Sequence, residues 1–331
     1  MTIWEHLESV SIDENTNLLS YMILKGTLVI TNKLKNNRES EHKYSEKRRE
    51  VIEDVCNATK KINLKCCMEV LHEIREALRY NGYNVKVCKI KASSRVLIGA
   101  NEPFGKIPLE VGFFFDPILN LPFIPGSSLK GAFRHALEDL IERDMDKEKA
   151  EKIAEIVFGS EKWSGLVGVT DAYPIKSGVN DLLFEPDVVT PHYPGTKTEL
   201  DVDPNPVTFL TIARDVVFEF YIYFNKNIYS EENKQLEKYR KKLRREYAEL
   251  GIVKDLASIK SIGDSVKELL DNAIYVGDLE KELKRLKDMG LNPINILPYV
   301  DRAVLYAFAK GIGAKTSLGY SRFDVIDYRS V

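Results

Sequence analysis

The chain has few of the residues that staple a fold or ligate a metal. Cysteine occurs four times in 331 residues, at Cys56, Cys66, Cys67 and Cys88. Their spacing is not that of metal-binding pairs, and the adjacent Cys66-Cys67 does not suit a disulfide scaffold. Long apolar runs are missing: no stretch reaches the ~20 residues that span a bilayer. The opening Met1-Thr2-Ile3-Trp4-Glu5 does not read as a signal peptide, so a cytoplasmic protein without a membrane partner is expected. An excess of positive charge is missing as well. Lys and Arg number 48 against 50 Asp and Glu, a net charge of −2. The whole chain is therefore not a basic nucleic-acid binder, and any polyanion site on it must be a local patch. What is present is 44% hydrophobic content, which allows a sizeable core in one large domain or two small ones. Abundant Lys, Glu and Ile suit a thermophile.

Periodicity sets out the layout. Residues 1–84 read as a mainly helical N-terminal region. Within it, Leu64, Met68, Leu71, Ile74 and Leu78 make an apolar stripe that Asn81-Gly82 ends. Thr31–Glu50 is highly charged and reads as a solvated loop or helix face. Residues 84–99 alternate in part and read as a first strand, and Leu109–Phe115 as part of a hairpin. A first core helix runs to about Arg143, and a second, shorter one spans about Lys147–Phe158. Leu166–Asp171 reads as a strand. In Val216–Phe224 the alternation of Val217, Glu219, Tyr221 and Tyr223 with Phe218, Phe220, Ile222 and Phe224 is that of a strand. Residues 230–288 read as a charged helical insertion into the domain 85–331. There Leu236, Tyr239, Leu243, Tyr247 and Leu250 line one face, with Arg240, Lys241, Arg244 and Arg245 around it. Such a helix can touch RNA, but a solvated face with a partner-facing stripe is the favoured reading. The order strand, helix, strand, strand, helix, strand is the split βαβ pattern of an α+β fold.

Two glycine-bearing segments carry most of the functional signal. The first is Phe123-Ile124-Pro125-Gly126-Ser127-Ser128-Leu129-Lys130-Gly131-Ala132-Phe133-Arg134. Pro125-Gly126 makes a turn, Ser127 or Ser128 can cap a helix, and Leu129, Phe133, Ala136, Leu137, Leu140 and Ile141 form its apolar face. Lys130 and Arg134 are four apart near the helix start, where like charges repel and cations oppose the helix dipole. A phosphate there reverses both signs. The alternative is that Arg134 pairs with Glu138 and Lys130 is solvated.

The second segment is Gly311-Ile312-Gly313-Ala314-Lys315-Thr316-Ser317-Leu318-Gly319-Tyr320-Ser321-Arg322-Phe323. It is not a P-loop: Ala314 precedes Lys315-Thr316, and Ala309 stands where the first glycine belongs. It is not a dinucleotide fingerprint either, since Thr316 replaces the third glycine and no strand precedes the loop. A helix precedes it, with Pro298 in the first turn, Val300, Val304, Ala307 and Phe308 as its stripe, and Gly311 as its end. A strand follows, with Ser321, Phe323 and Val325 on one face and Tyr320, Arg322 and Asp324 on the other. Lys310, Gly311, Gly313, Lys315, Thr316, Ser317 and Arg322 are candidate contacts to an RNA backbone; the alternative is a plain tight connection.

This pair of segments resembles the RAMP superfamily of CRISPR-associated proteins, which open their first helix with a Pro-Gly-Ser-Ser-Leu-Lys-Gly-type segment and carry a glycine-rich loop between the last helix and last strand. Gly168-Val169-Thr170-Asp171-Ala172-Tyr173-Pro174 is similar to the strand end of type III effector subunits. Asp187-Val188-Val189-Thr190-Pro191-His192-Tyr193, with Pro206-Val207-Thr208-Phe209-Leu210-Thr211, resembles the sixth subunit of type III-B (Cmr) complexes. Where that family often has paired tyrosines, this chain has Pro194-Gly195-Thr196. The resemblance covers about residues 86–327. It implies an RRM-like ferredoxin fold with a helical N-terminal region and a helical insertion. It also implies an RNA-binding, non-catalytic subunit that caps the stack of backbone subunits near the 3′ part of a guide RNA, in antiviral defence. The implied partners are guide RNA, target RNA, and the backbone and head RAMP subunits of the same complex.

The residues agree on catalysis. His135 and His192 are the only histidines in the family-like segments, and either can act as acid or base in a metal-free ribonuclease. A helix-surface histidine and a loop histidine that touches RNA or orders its own loop are the plainer readings. Asp201-x-Asp203 before Pro204 reads as a solvated turn rather than a metal site. No cofactor is expected. No aromatic motif of the kind RRMs use for base stacking is found, so glycine loops and phosphate contacts are the expected mode. The competing readings are a RAMP-type endoribonuclease that processes guide precursors and a protein adaptor with little RNA contact.

Overall fold

A computed structural model describes residues 12, 16–33, 38–60, 62–109, 111–142, 147–159, 165–189, 207–225 and 297–331. The expected insertion at 230–288, His192 and Asp201-x-Asp203 lie outside these residues.

Three helices open the described chain: α1 (Leu18–Lys33), α2 (Arg38–Thr59) and α3 (Lys65–Tyr80). Asn17 caps α1, its Oδ1 accepting from the Ser20 N–H at 3.0 Å. The helix α3 stops where Asn81-Gly82 predicts, with Gly82 at φ +79° and its N–H on the Arg79 carbonyl. Its buried stripe is rotated from the expected one: Cys67 and Leu71 are buried, while Met68 is 46% exposed.

Then come β1 (Tyr83–Ala92), α4 (Pro103–Leu109), β2 (Phe115–Asp116), β3 (Leu121–Pro122), α5 (Gly126–Ile141) and α6 (Lys147–Phe158). They are followed by β4 (Val167–Val169), β5 (Tyr173–Lys176), β6 (Phe184–Val189), β7 (Val207–Ile212), β8 (Val217–Asn225), α7 (Leu297–Lys310) and β9 (Phe323–Ser330). Two sequence expectations are corrected. The first strand ends at Ala92, because Ser93-Ser94 turns the chain away to bridge Val96 to Ile212 of β7. Leu109–Phe115 is not a hairpin arm: α4 ends at Leu109, and the small hairpin is β2–β3, paired through Phe115↔Pro122. Leu166–Asp171 yields a strand of only three residues, β4.

The main sheet has the order β4-β8-β1-β9, with β5 also on β8 beside β4, and adjacent strands are antiparallel. Alternation sorts its two faces. Phe218, Phe220, Ile222 and Phe224 of β8 point at α5 and α7: Phe220 lies 6.2 Å from Phe133 and 6.0 Å from Phe308, ring centroid to centroid. The opposite face carries Glu219 and Tyr221, and α3 packs across it on β1, β5 and β8, with Cys67 and Arg75 near Tyr221. The sheet is thus covered on both sides over its centre. A second antiparallel pair, β6–β7, runs Phe184↔Ile212 to Val189↔Val207 and packs against α2. Charged groups also sit inside the core: Arg302 of α7 is buried, and Lys86 of β1 binds Asp301 of α7, whose Oδ1 also accepts from Tyr328 OH at 2.6 Å.

Candidate nucleic-acid interface

The turn before α5 is clamped by the chain that leaves β4. Ile124 and Ala172 exchange backbone hydrogen bonds at 2.9 and 2.8 Å. The helix begins at Gly126, one residue before Ser127, and neither serine caps it: its N-cap is Pro125, with no side-chain cap. The cap function is supplied from 45 residues away, because the Gly126 N–H donates to Asp171 Oδ1 at 2.7 Å. Gly126 has to be glycine here, since a Cβ would lie 2.5 Å from the Val169 carbonyl oxygen. Asp171 is exposed, so a carboxylate already stands where the sequence left room for a phosphate.

Ser127 is exposed, and Ser128 and Lys130 are half-buried. Lys130 has no hydrogen-bond or ion-pair partner among the described residues, and burial lowers its ammonium from the ordinary value. Arg134 is engaged: Nε donates to Glu138 at 3.0 Å, Nη1 to the Gly159 carbonyl at 3.1 Å, and Glu155 lies 4.0 Å away. The Glu138 alternative raised by the i,i+4 spacing is therefore the observed one. His135 is a helix-surface histidine, 3.9 Å from both Glu138 and Asp139.

The second segment folds into a tight, largely self-bonded loop. Gly311 ends α7 at φ +91°, its N–H on the Ala307 and Phe308 carbonyls. Gly313, at φ +135°, presses on the strand exit of β1: a Cβ there would lie 2.7 Å from the Leu97 carbonyl oxygen and from Ser321 Oγ. The neighbouring Ala314 N–H donates to that same carbonyl at 2.8 Å. Lys315 adopts the left-handed region at φ +56° and opens a single 3₁₀ turn over Thr316–Leu318, which Gly319 closes at φ +87°. The N–H groups of Lys315, Thr316 and Ser317 meet no acceptor among the described residues. Leu318 is 69% exposed, and a Cβ on Gly319 would meet nothing within 4 Å.

The cations around this loop divide by task. Arg322 is scaffolding: it donates to the carbonyls of Ala309 (2.9 Å) and Lys310 (2.6 Å) at the end of α7 and to that of Thr316 (3.1 Å) in the 3₁₀ turn. Lys310 pairs with Asp139 and lies 4.9 Å from the Tyr306 ring centroid. Burial opposes its charge, but the hydrogen bonds and charges of Asp139 and Tyr306 hold the ammonium above its ordinary value. Lys315 makes no ion pair among the described residues, and its Nζ lies 5.3 Å from the Phe209 ring centroid. Of the cations proposed from sequence, Lys130, Lys315 and Arg322 are the three whose charge no described carboxylate meets, and of these only Arg322 is bonded to carbonyls.

The two segments do not converge on one point. Lys310 meets Asp139, thirteen residues (139 − 126) along α5 from Gly126, which is about 20 Å of helix. One phosphate cannot touch both places; an extended strand can. The glycine loop instead converges on β6–β7. Tyr320 OH donates to Asp187 Oδ2 at 2.5 Å, Arg95 Nη1 lies 3.4 Å from Asp187 Oδ1, and Arg95 Nε donates to Glu185 at 3.1 Å. Sequence reasoning found no signal for Arg95 or Glu185, placed Asp187 and Phe209 only within family-like segments, and placed Tyr320 only on a strand face after the glycine loop. The alternation of Val207–Ile212 was the signal that puts Phe209 and Thr211 on one face. Among the described residues no group of three or more His, Cys, Asp and Glu is placed to hold a metal ion, and no helix is long and apolar enough to cross a membrane.

Comparison with known proteins places this geometry. The RAMP superfamily matches residues 89–324. A CRISPR system CMR subunit Cmr6 of Saccharolobus solfataricus is 35% identical over 204 residues, 62% of this chain and 68% of that one. A chain in the cryo-EM structure of the type III-B Cmr-beta complex bound to cognate target RNA superposes with a TM-score of 0.62 at 27% identity, covering 96% of this chain and 93% of that one. The crystal structure of Cmr6 from Pyrococcus furiosus is more distant, at a TM-score of 0.35 and 18% identity over 75% of this chain and 99% of that one.

Proposed function

This chain belongs to the RAMP superfamily, and from that premise we propose that it is an RNA-binding, non-catalytic subunit of a type III-B CRISPR effector complex. Its relatedness to Cmr6 and to a chain of the Cmr-beta complex supports a type III-B effector subunit. In this reading it caps the stack of backbone subunits near the 3′ part of the guide RNA, touches guide and target RNA, and meets the neighbouring RAMP subunits. The core is an RRM-like ferredoxin arrangement, a reading supported by the order β4-β8-β1-β9 with α5 and α7 on one face.

The observation that carries the reading is the turn Lys315-Thr316-Ser317, half-buried at Lys315 and Thr316 and exposed at Ser317. It offers an ammonium, two hydroxyls and unbonded N–H groups on a backbone fixed by its own contacts, and these are the groups that hold a phosphate. The sheet supports the same mode. An RRM stacks bases on an open sheet face, but here α3 covers that face and Tyr221 is fully buried beneath it. Contact through loops to the RNA backbone is what remains.

The test is purification of the tagged chain from its native host, with identification of the bound protein and RNA. A discrete short RNA together with several RAMP partners is the expected result. Protein partners without RNA would favour the adaptor. Incubating the isolated chain with guide precursor and target, with and without divalent metal, is expected to leave both intact. Cleavage that disappears in a His192→Ala variant would replace this reading with the endoribonuclease.

A further inference from the structure

The loop 311–319 is seated on the β6–β7 pair at two points. Tyr320 donates to Asp187, and Lys315 lies over Phe209. Asp187 and Phe209 are register partners, so both side chains stand on one face of the pair. The seat beneath them is stiff. Asp187 Oδ1 accepts from the Val188 N–H at 2.8 Å and faces Arg95. Arg95 also bonds Glu185, and Arg214 Nε lies 3.4 Å from the same Glu185 oxygen. Both carboxylate side chains are only 12% exposed. The turn they hold is strained, since a lysine at φ +56° persists only where its surroundings over-determine it.

We infer that Tyr320, Asp187 and Phe209 form a seat that fixes the Lys315-Thr316-Ser317 turn in the attitude in which it meets an RNA phosphate. The inference rests on the RNA-binding reading above. Tyr320 and Asp187 are positioning residues: they act on the RNA through the loop and bring no positive charge to it. Phe209 holds the ammonium of Lys315 by its ring face without neutralising it.

Positioning and charge leave different signatures. Affinity for a polyanion falls with log salt at a slope set by the number of phosphates neutralised. Removing a positioning hydrogen bond lowers affinity at every salt concentration and leaves that slope alone. The full chain would be titrated with a labelled single-stranded RNA across a salt series, with melting temperature measured alongside. Tyr320→Phe is expected to weaken binding about three- to tenfold, the worth of one hydrogen bond, with the parent slope. Asp187→Ala is expected to weaken binding at least as much, because it also releases Arg95 and the Val188 N–H. Asp187→Asn keeps an acceptor for Tyr320 and is expected to bind no more weakly than the parent. Lys315→Ala is expected to lower the slope by about one unit.

If Tyr320→Phe binds like the parent while Lys315→Ala loses affinity and slope, the seat is overturned and the RNA reading stands. If Lys315→Ala also leaves affinity and slope unchanged, the RNA reading itself falls. If Asp187→Asn loses affinity and melting temperature in step with Tyr320→Phe, the contact is merely structural and the inference is overturned.

Discussion

Lys130 and Arg134 stand one turn apart on the same helix and are held in opposite ways: Arg134 is bonded to Glu138 and to the Gly159 carbonyl, while Lys130 meets no partner among the described residues. The pair that looked equivalent in sequence therefore separates. Lys130→Ala is expected to lower the salt slope of RNA binding by about one unit with little change in stability. Arg134→Ala is expected to cost about 1.5–3 kcal/mol of stability, because it releases hydrogen bonds made by a charged group between α5 and the end of α6. Salt-series titration and chemical unfolding of each single variant decide it. Equal slope losses in both would mean that Arg134 leaves Glu138 for the RNA.

The core ion pair is a second test. Lys86 and Asp301 are 9% and 8% exposed, and Tyr328 donates to the same carboxylate. Lys86→Met leaves Asp301 buried with its main counter-charge gone, at a cost of about 3–5 kcal/mol. Adding Asp301→Leu removes the orphaned charge and is expected to restore a large part of that loss. The midpoints of urea unfolding measure both. A double variant as unstable as the single one would show that the cost lies in packing and not in charge.

Alkaline pH is expected to unfold this protein. Burial pushes the Cys56 and Cys67 thiols up to about 12. Burial and the bond to Asp187 raise Tyr320 to about 12 as well. Tyr21, Tyr173 and Tyr221 are driven upward by burial and by their bonds to Asp54, Asp116 and Glu219. In each case the fold holds a proton that the unfolded chain releases from its ordinary pKa, about 9 for cysteine and 10 for tyrosine. The stabilisation is complete below about pH 9 and is lost as pH rises toward 12. Melting temperature should fall steadily over that window, and a flat profile would refute it.

Much of the frame was legible because its residues obey one rule at a time. β8 sorts phenylalanines to one face and mixed residues to the other, and α7 carries its stripe of Val300, Val304, Ala307 and Phe308 into the core, all four buried. The strand β6 was not legible for the opposite reason. Glu185 and Asp187 point into an arginine-lined seat instead of water, and Pro186 lies between them, so the segment reads as polar. The helix α4 holds Pro103, Gly105 and Pro108 in seven residues, a composition that hides a helix. Asp171 caps α5 from 45 residues away, and no local pattern announces such a partner. Of the candidate site, the glycine loop was legible as a loop, whereas the side chains that aim it lie on strands distant in sequence.

The loop offers the sharpest separation of shape from charge. Gly313 occupies φ +135°, and a Cβ there would lie 2.7 Å from the Leu97 carbonyl oxygen and 2.8 Å from Ile98 Cγ1. Gly313→Val therefore strains the backbone and pushes the loop off the β1 exit, with an expected loss of about 1–3 kcal/mol. Because the Ala314 N–H sits on the same Leu97 carbonyl, the shift carries into Lys315 and displaces the turn proposed to meet RNA. Lys315→Ala touches none of this packing: it removes an ammonium resting over Phe209 and leaves the backbone in place. Both variants are expected to weaken RNA binding, but only Gly313→Val should lower the melting temperature, and only Lys315→Ala should reduce the salt slope without it. The failed P-loop register adds a control, since ATP should not bind. Micromolar ATP affinity, or full RNA affinity in both variants, would show that these glycines serve chain geometry or a nucleotide and not an RNA backbone.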